Sequence, residues 1–262
     1  MIRALSWNLF HGRDRPPDPA LFTWRSRLLR ITERNATHLQ VNRDLLPEFT
    51  SVLAGADWDV ALLQEFPPRW VRALPGSCEA EAHVSLTSRN SLAPLRSLIA
   101  RLNPDLIASN EGGSNVTLVR SAAIVDRHGL VLADLPERRT MAFTRLATDL
   151  CVANLHASTA DAAASRELLH AAECSLGWAA DSPLILGGDF NVRPDRAPGV
   201  FAELRQRGFA DPDLPDSIDH LLSRGLVVAE RATQWPPGRR ELIEDGLAIR
   251  LSDHAPVQAA FA

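Results

Sequence analysis

Leu184-Ile185-Leu186-Gly187-Gly188-Asp189-Phe190-Asn191 is the stretch on which the reading of this chain turns. Three apolar residues form the pattern of a short buried strand, and the two glycines let the backbone turn where a side chain would crowd. With the segment extended, Asp189 and Asn191 point to one side at the mouth of the strand, and Phe190 turns the other way into packing. A carboxylate placed there can position or deprotonate a water. An amide can donate to a phosphoryl oxygen without adding charge. So short a polar turn is common on its own, and its weight comes from the rest of the chain.

Working outward, Cys151–His156 (CVANLH) reads as a strand, followed by a helix capped by Thr159 or Asp161 and running to about Trp178. After the glycines come a helix over Pro198–Arg207 and strands over Ser217–Leu222 and Leu226–Ala229. Pro256–Phe261 closes the chain as a strand. Upstream, Ile2–Asn8 and Asp59–Glu65 are further apolar strands, and Asn115–Arg120, Ala122–Val125, Leu130–Leu132 and Met141–Ala147 are shorter ones. Helices are predicted over Leu21–Ile31, Leu45–Leu53 and, within Arg89–Leu102, over Leu92–Arg101. The alternation in the middle fits antiparallel neighbours. Strands, helices and strands again favour a layered α/β sandwich over a doubly wound sheet.

The 262 residues are 45% hydrophobic and 23% charged, which suits one sizeable core, and no linker or repeat divides them. Residues 1–262 are therefore read as a single domain. No run of 18 apolar residues suggests a membrane span, and Met1-Ile2-Arg3 leads straight into a strand pattern without a secretory apolar region. Cys78, Cys151 and Cys174 are odd in number and widely spaced, which fits a reducing, cytoplasmic setting and neither a disulfide framework nor a zinc cluster. Every basic residue is Arg; the chain has no Lys, which excludes Schiff-base chemistry through a lysine, and no Tyr. No G-x-S-x-G elbow marks a serine hydrolase. With a net charge of −4 and basic pairs only at Arg138-Arg139 and Arg239-Arg240, tight binding of plain duplex DNA is not expected.

Polar residues recur where the apolar strands end: Asn8, Glu65, Asn154, His156, Asp189, Asn191, Asp219, Asp253 and His254. Sites are commonly built from loops at one edge of a sheet. Trp7-Asn8, Gln64-Glu65, Asn154-Leu155-His156, Gly188-Asp189-Phe190-Asn191, Ser217-Ile218-Asp219-His220 and Ser252-Asp253-His254 stand in an order that resembles the endonuclease/exonuclease/phosphatase superfamily. That superfamily includes pancreatic-type deoxyribonucleases, abasic-site endonucleases, neutral sphingomyelinases and inositol-polyphosphate 5-phosphatases. The resemblance implies a four-layer α/β sandwich: two mixed β-sheets packed face to face, helices outside, and the site at one rim.

The resemblance also implies roles. Asn8 and Glu65 would hold a divalent metal with Asp253 as a further ligand, and hard oxygen donors suit Mg²⁺ or Mn²⁺. Asp189 would prepare the attacking water and Asn191 would donate to the phosphoryl group. His254, steadied by Asp219, would face the scissile phosphate, with His156 as a second donor. Asn115, Arg139 and Asn154 would bind substrate, Asn115 also steadying His156. The absent Tyr weakens the abasic-site reading. His11, His38, His83, His128, His170 and His220 are read as surface or packing residues; Trp235, Arg13 and Arg15 are minor candidates for substrate contact. The function expected is metal-dependent hydrolysis of a phosphodiester by direct attack of water. The alternatives are an endonuclease acting on DNA or RNA and a catalytically silent member of the fold that binds a partner.

Overall fold

The structure, a computed structural model, describes residues 1–88 and 90–262. Along the chain run β1 (Ile2–Asn8), α1 (Trp24–Leu29), β2 (Glu33–Arg34), β3 (Leu39–Gln40), α2 (Leu46–Gly55), β4 (Val60–Phe66), α3 (Ala73–Ser77), β5 (Glu81–Leu86), α4 (Ala93–Leu102), α5 (Pro104–Ile107) and β6 (Ser114–Val119). Then come β7 (Ile124–Ala133), β8 (Arg139–Leu146), β9 (Cys151–His156), α6 (Asp161–Ala179), β10 (Leu184–Asp189), α7 (Pro198–Gln206), β11 (Asp219–Arg224), β12 (Val228–Gln234), β13 (Glu241–Glu244), β14 (Leu247–Arg250) and β15 (Val257–Phe261).

One sheet has the order β12-β15-β1-β4-β6-β5 and the other β11-β10-β9-β8-β7. Both are mixed, with parallel pairs β1–β4 and β9–β10 at their centres and antiparallel strands around them. Period-two alternation assigns each strand two faces. Ala4, Val60, Leu62, Val152, Ile185 and Leu221 meet between the sheets. Leu5, Trp7, Ala61 and Leu63 turn outward onto Phe49, Leu53 and Trp70. Ala153, Leu155, Leu184 and Leu186 turn the opposite way onto Ala164, Leu168 and Ala171 of α6 and Phe201 and Leu204 of α7. The result is the expected four layers of helix, sheet, sheet and helix.

Several local expectations change. Helix α1 begins only at Trp24, where Thr23 caps it by accepting from Ser26 N, and ends at Leu29, because Arg30 takes a left-handed conformation. Ile124-Val125 and Leu130–Leu132 belong to one long strand, β7, while Ala122 and Ala123 precede it. Neither Thr159 nor Asp161 caps α6; Glu167 within the helix accepts from Ser158 N and Oγ, each at 2.7 Å, and so fixes the preceding loop. Edge strand β5 and the hairpin β13–β14 had no clear signal. Arg89, the first residue of the stretch expected to hold α4, lies outside the described residues. No described helix is long and apolar enough to cross a membrane.

Gly188 is where the sequence permits this architecture. Its φ is +135°, and a Cβ there would lie 1.9 Å from Leu155 O on the parallel neighbour β9. Gly188→Ala is expected to cost at least about 3 kcal/mol in denaturant unfolding, from strain and overpacking together. Gly177 in α6 has open space around it. Gly177→Ala should therefore be neutral or stabilising, by about 0.5–1 kcal/mol. Equal effects would contradict the packing at the β9–β10 seam.

Candidate active site at the sandwich rim

The inward-facing side chains change character along each central strand. On β1 the row is Ala4, Ser6, Asn8; on β4 it is Val60, Leu62, Gln64. On β9 it is Val152, Asn154, His156, and on β10 it is Ile185, Gly187, Asp189. Apolar residues fill the middle of the sandwich, and polar ones collect where four strand ends meet. Asn8 Nδ2 donates to Asp189 Oδ2 at 3.0 Å, joining the two sheets at this rim. The register pairs Asp189 with Asp219 on β11 and with His156 on β9.

The loop before β15 brings His254 to the same place. Its Nδ1 lies 2.8 Å from Asp219 Oδ2, and its Nε2 lies 3.9 Å from Asp189 Oδ2. Burial opposes the imidazolium, but Asp219, then Asp189 and Asp253, raise the His254 pKa to about 10. Burial first, and Asp219 second, hold Asp189 well above the usual carboxylate range. Two residues without an assigned role set the His254 loop. Ser252 Oγ donates to Asn8 O at 2.6 Å and accepts from His254 N, and Trp7 Nε1 donates to His254 O at 3.1 Å.

Glu65 reaches the rim through an irregularity. Strict alternation would turn it outward like Leu63, but the register between β4 and β6 shifts after Leu63 and Glu65 takes φ +47°. Its Oε2 lies 3.2 Å from His11 Nε2 and its Oε1 4.0 Å from His156 Nε2. Burial raises its proton affinity, yet His11, His156, His254 and Arg13 leave the pKa below the ordinary value. His156 is buried; burial and then Arg139 pull its pKa down to about 3, so the ring is neutral. Arg139 Nη1 stands 3.1 Å from His156 Nε2 and 3.2 Å from Nδ1, and Asp189 Oδ2 lies 3.5 Å from the same Nε2. Asp253 is the more open carboxylate, its side chain 37% exposed. Burial and the nearby Glu65 still push its pKa up.

Asn8, Glu65, His156, Asp189, Asp219, Asp253, His254 and Arg139 thus gather at one rim, and three sequence-derived candidates do not behave as expected. Asn154 lies one step deeper in the inward row than His156 and is fully buried. Its Nδ2 donates to Leu63 O and Val116 O, and its Oδ1 accepts from Gln64 Nε2, so it ties the sheets together. Asn115 is also fully buried; its amide donates to Thr140 O across the sheets and makes no bond to His156. Asn191 does not share a strand face with Asp189, because β10 ends at Asp189 and Asn191 turns left-handed at φ +51°. Its Nδ2 donates to Ala157 O, and its backbone N to Asp189 Oδ1. Trp235 is buried against Gln258 and Arg239, and His220 packs on Phe190 and Phe201. His11, read as a packing residue, instead belongs to the rim. The signal available was its place three residues after Asn8, in the polar loop leaving β1.

Cavities open on both sides of this cluster. One, of about 260 Å³, is lined by His11, Glu65, Arg138, Arg139 and His156. It shares Glu137, Arg139 and Thr159 with a larger neighbour of about 750 Å³. The other, of about 440 Å³, is lined by Asp219, Asp253, His254, Arg193 and Arg240. Arg138 and Arg139 therefore line one flank and Arg240 the other, while Arg239 stacks on Trp235.

A two-sheet sandwich with carboxylates, imidazoles and amides at one rim defines a class of phosphoester-hydrolysing folds, and the comparisons agree. Residues 5–254 match the Endonuclease/Exonuclease/phosphatase family, and the chain belongs to that family. Its members hydrolyse phosphoesters and are generally dependent on divalent metals. Among solved structures, a mannosyl-6-phosphatase of Bacteroides thetaiotaomicron is similar over 100% of both chains, with 15% identity and a TM-score of 0.64. A functionally unknown protein of Enterococcus faecalis is similar over 100% of this chain and 99% of its own, with 17% identity and a TM-score of 0.62. A 3' phosphatase from Neisseria, bound to product DNA hairpin, is similar over 100% of both chains, with 16% identity and a TM-score of 0.57. No curated protein matches the sequence.

The Asp219–His254 pair is directly testable. Because His254 is raised above its ordinary 6.5, the stability it contributes is fully present below that value and is lost as pH rises through about 10. In Asp219→Asn the His254 ring, followed by NMR, should titrate about 2 pH units lower. An unchanged midpoint would mean that Asp219 does not hold the charge.

Proposed function

We propose that the chain is a divalent-metal-dependent hydrolase that cleaves a phosphodiester by direct attack of water. The observation that carries this reading is geometric: buried Asp189, its proton affinity raised, lies 3.9 Å from the imidazole of His254, whose other nitrogen Asp219 holds at 2.8 Å. A base whose proton affinity is raised toward the working pH accepts a proton from water more readily than an ordinary carboxylate. Asp189, oriented by Asn8, takes that proton. The His254 imidazolium, anchored by Asp219, Ser252 and Trp7, donates toward oxygens that gain charge as the phosphoryl group transfers. Neutral His156, fixed between Arg139 and Asp189, supplies a second N–H, and Arg139 adds positive charge on that side. Asn191 shapes the Asp189 turn, and its remaining N–H is available to the phosphoryl group.

The rim fits a hard cation. Asn8 Oδ1, Glu65 and Asp253 are oxygen donors, and no cysteine lies among the residues gathered there. Burial, with Asp219 beside Asp189 and Glu65 near Asp253, makes both carboxylates hold protons more tightly than usual, and a cation seated among them would offset that cost. Asn8, Glu65 and Asp253 would hold Mg²⁺ or Mn²⁺. Asp189, Asp219 and His254 also offer ligand atoms within 4.8 Å of one another, but the Asp219–His254 hydrogen bond makes that trio a better proton-holding set. When bound, the cation supplies Lewis-acid polarisation of the phosphoryl oxygens.

Cavities on both flanks favour a diester, with room for a group on each side of phosphorus. A monoester is the second reading, since two of the similar structures carry the name phosphatase. A nucleic acid lying between Arg138-Arg139 and Arg240 is the alternative substrate, and the acidic chain argues against tight duplex binding. Residues 1–262 are proposed to act as one domain, in a reducing compartment such as the cytoplasm, where Cys78, Cys151 and Cys174 stay free thiols.

Chelation should abolish hydrolysis of aryl phosphoesters, and Mg²⁺ or Mn²⁺ should restore it; full activity after exhaustive chelation would remove the metal from the mechanism. Asp189→Ala and His254→Ala should each lower kcat at least about a hundredfold, while His220→Ala does far less. If His220 mattered as much as His254, the assignment of the two imidazoles would be wrong. His11→Ala should keep the fold yet need about 10–100 times more metal for half-activation, because His11 orients Glu65. An unchanged metal requirement would make His11 a packing residue after all.

A further inference from the structure

Helices α1, α4 and α5 are built inside out. The residue α1 buries is Ser26, hydrogen-bonded to Gln40, while Trp24 and Leu28 face outward at 66% and 56% exposure. On α4 and α5, Leu95, Leu98, Leu102 and Leu106 form a stripe at helical spacing, 43–56% exposed, while Ala100 is the buried residue of α4. The helices meet at one joint. Asn103, between α4 and α5, donates to Arg27 O at 2.9 Å and accepts from Asn42 at 2.6 Å. An apolar surface of this kind on a folded protein marks a contact face.

Its charge identifies the partner. Neither α1 nor α4 contains Asp or Glu, and between them they carry Arg25, Arg27, Arg96 and Arg101, with Arg30 directly after α1. Asp105 of α5 is buried and accepts from Gln40. A net acidic chain has gathered here two helices, α1 and α4, whose charges are all positive. A second copy would set arginine against arginine. An anionic bilayer complements both features, with leucines at the acyl boundary and Trp and Arg at headgroup level. We propose that α1, α4 and α5 form the face by which this protein docks on an anionic phospholipid bilayer. Directly after α5, the turn Ala108–Glu111 contributes Ser109 to the cavity that holds His11 and Glu65, so docking sets the rim beside the headgroups. The face is independent of the reaction proposed above.

Flotation with vesicles, run in chelator so that hydrolysis is silent, tests it. The probes are pure phosphatidylcholine and phosphatidylcholine with about 30 mol% phosphatidylglycerol, and the anionic vesicles should bind at least about tenfold better. They should also shift Trp24 fluorescence to the blue, a shift lost in Trp24→Phe. Leu98→Glu with Leu102→Glu should abolish binding, with an unchanged Tm showing that the fold survives. Arg25→Ser with Arg101→Ser should remove the preference for anionic vesicles. Equal partition into both vesicles, or binding that survives the double Glu variant, would overturn the proposal. So would a concentration-dependent dimer in vesicle-free solution that the double Glu variant dissolves, since the face would then belong to a second copy.

Discussion

One hydrogen bond, from Asn8 Nδ2 to Asp189 Oδ2, ties the end of the central strand of one sheet to the end of the central strand of the other. Everything at the rim is arranged around it. A carboxylate in so dry a place is expensive unless it is hydrogen-bonded, and Asn8 supplies a donor without adding a competing charge. The same bond sets how closely the two sheet edges approach, and therefore how far His156 and His254 stand from Asp189. Ser252 extends the constraint, because its hydroxyl joins the Asn8 backbone to the His254 loop.

One step deeper, Gln64 and Asn154 repeat the device. Their amides bond to each other and to Leu63 O and Val116 O across the intersheet layer. Asn115 and His83 do the same toward Thr140 and Thr144 on β8. These links are specific where apolar packing is not, since a slip of either sheet would leave buried donors and acceptors unpaired at about 1–3 kcal/mol each. The sandwich is apolar at its centre and becomes a hydrogen-bonded lattice toward the rim, so the site rests on a rigid floor. Above it each of three imidazoles has a partner: His11 lies against Glu65, His254 is held by Asp219, and neutral His156 stands beside Arg139.

Much of this was legible in the residues. Apolar runs ending in polar residues located the central strands nearly to the residue, and β9 runs over Cys151–His156 as read. Strand ends at a common sheet edge also placed Asp189, Asp219, His156 and His254 together. Periodicity cannot say which of two same-face residues stands at the rim and which lies one step inside, and so it does not separate Asn154 from His156. Nor does it register a turn into left-handed backbone. His11 comes back onto Glu65 through φ +54°, and Asn191 leaves its strand through φ +51°. Strand β5 was hidden because an edge strand of mixed polarity, Glu81–Leu86, lacks the continuous apolar run of a central one.

The stereochemical course at phosphorus tests direct water attack most plainly. A single diastereomer of an aryl phosphorothioate diester, hydrolysed in water enriched in heavy oxygen, gives a thiophosphate product whose handedness can be read. A water primed by Asp189 displaces the leaving group in one step and inverts the configuration. Retention would require two displacements through a covalent intermediate on the protein, and would contradict the role assigned to Asp189.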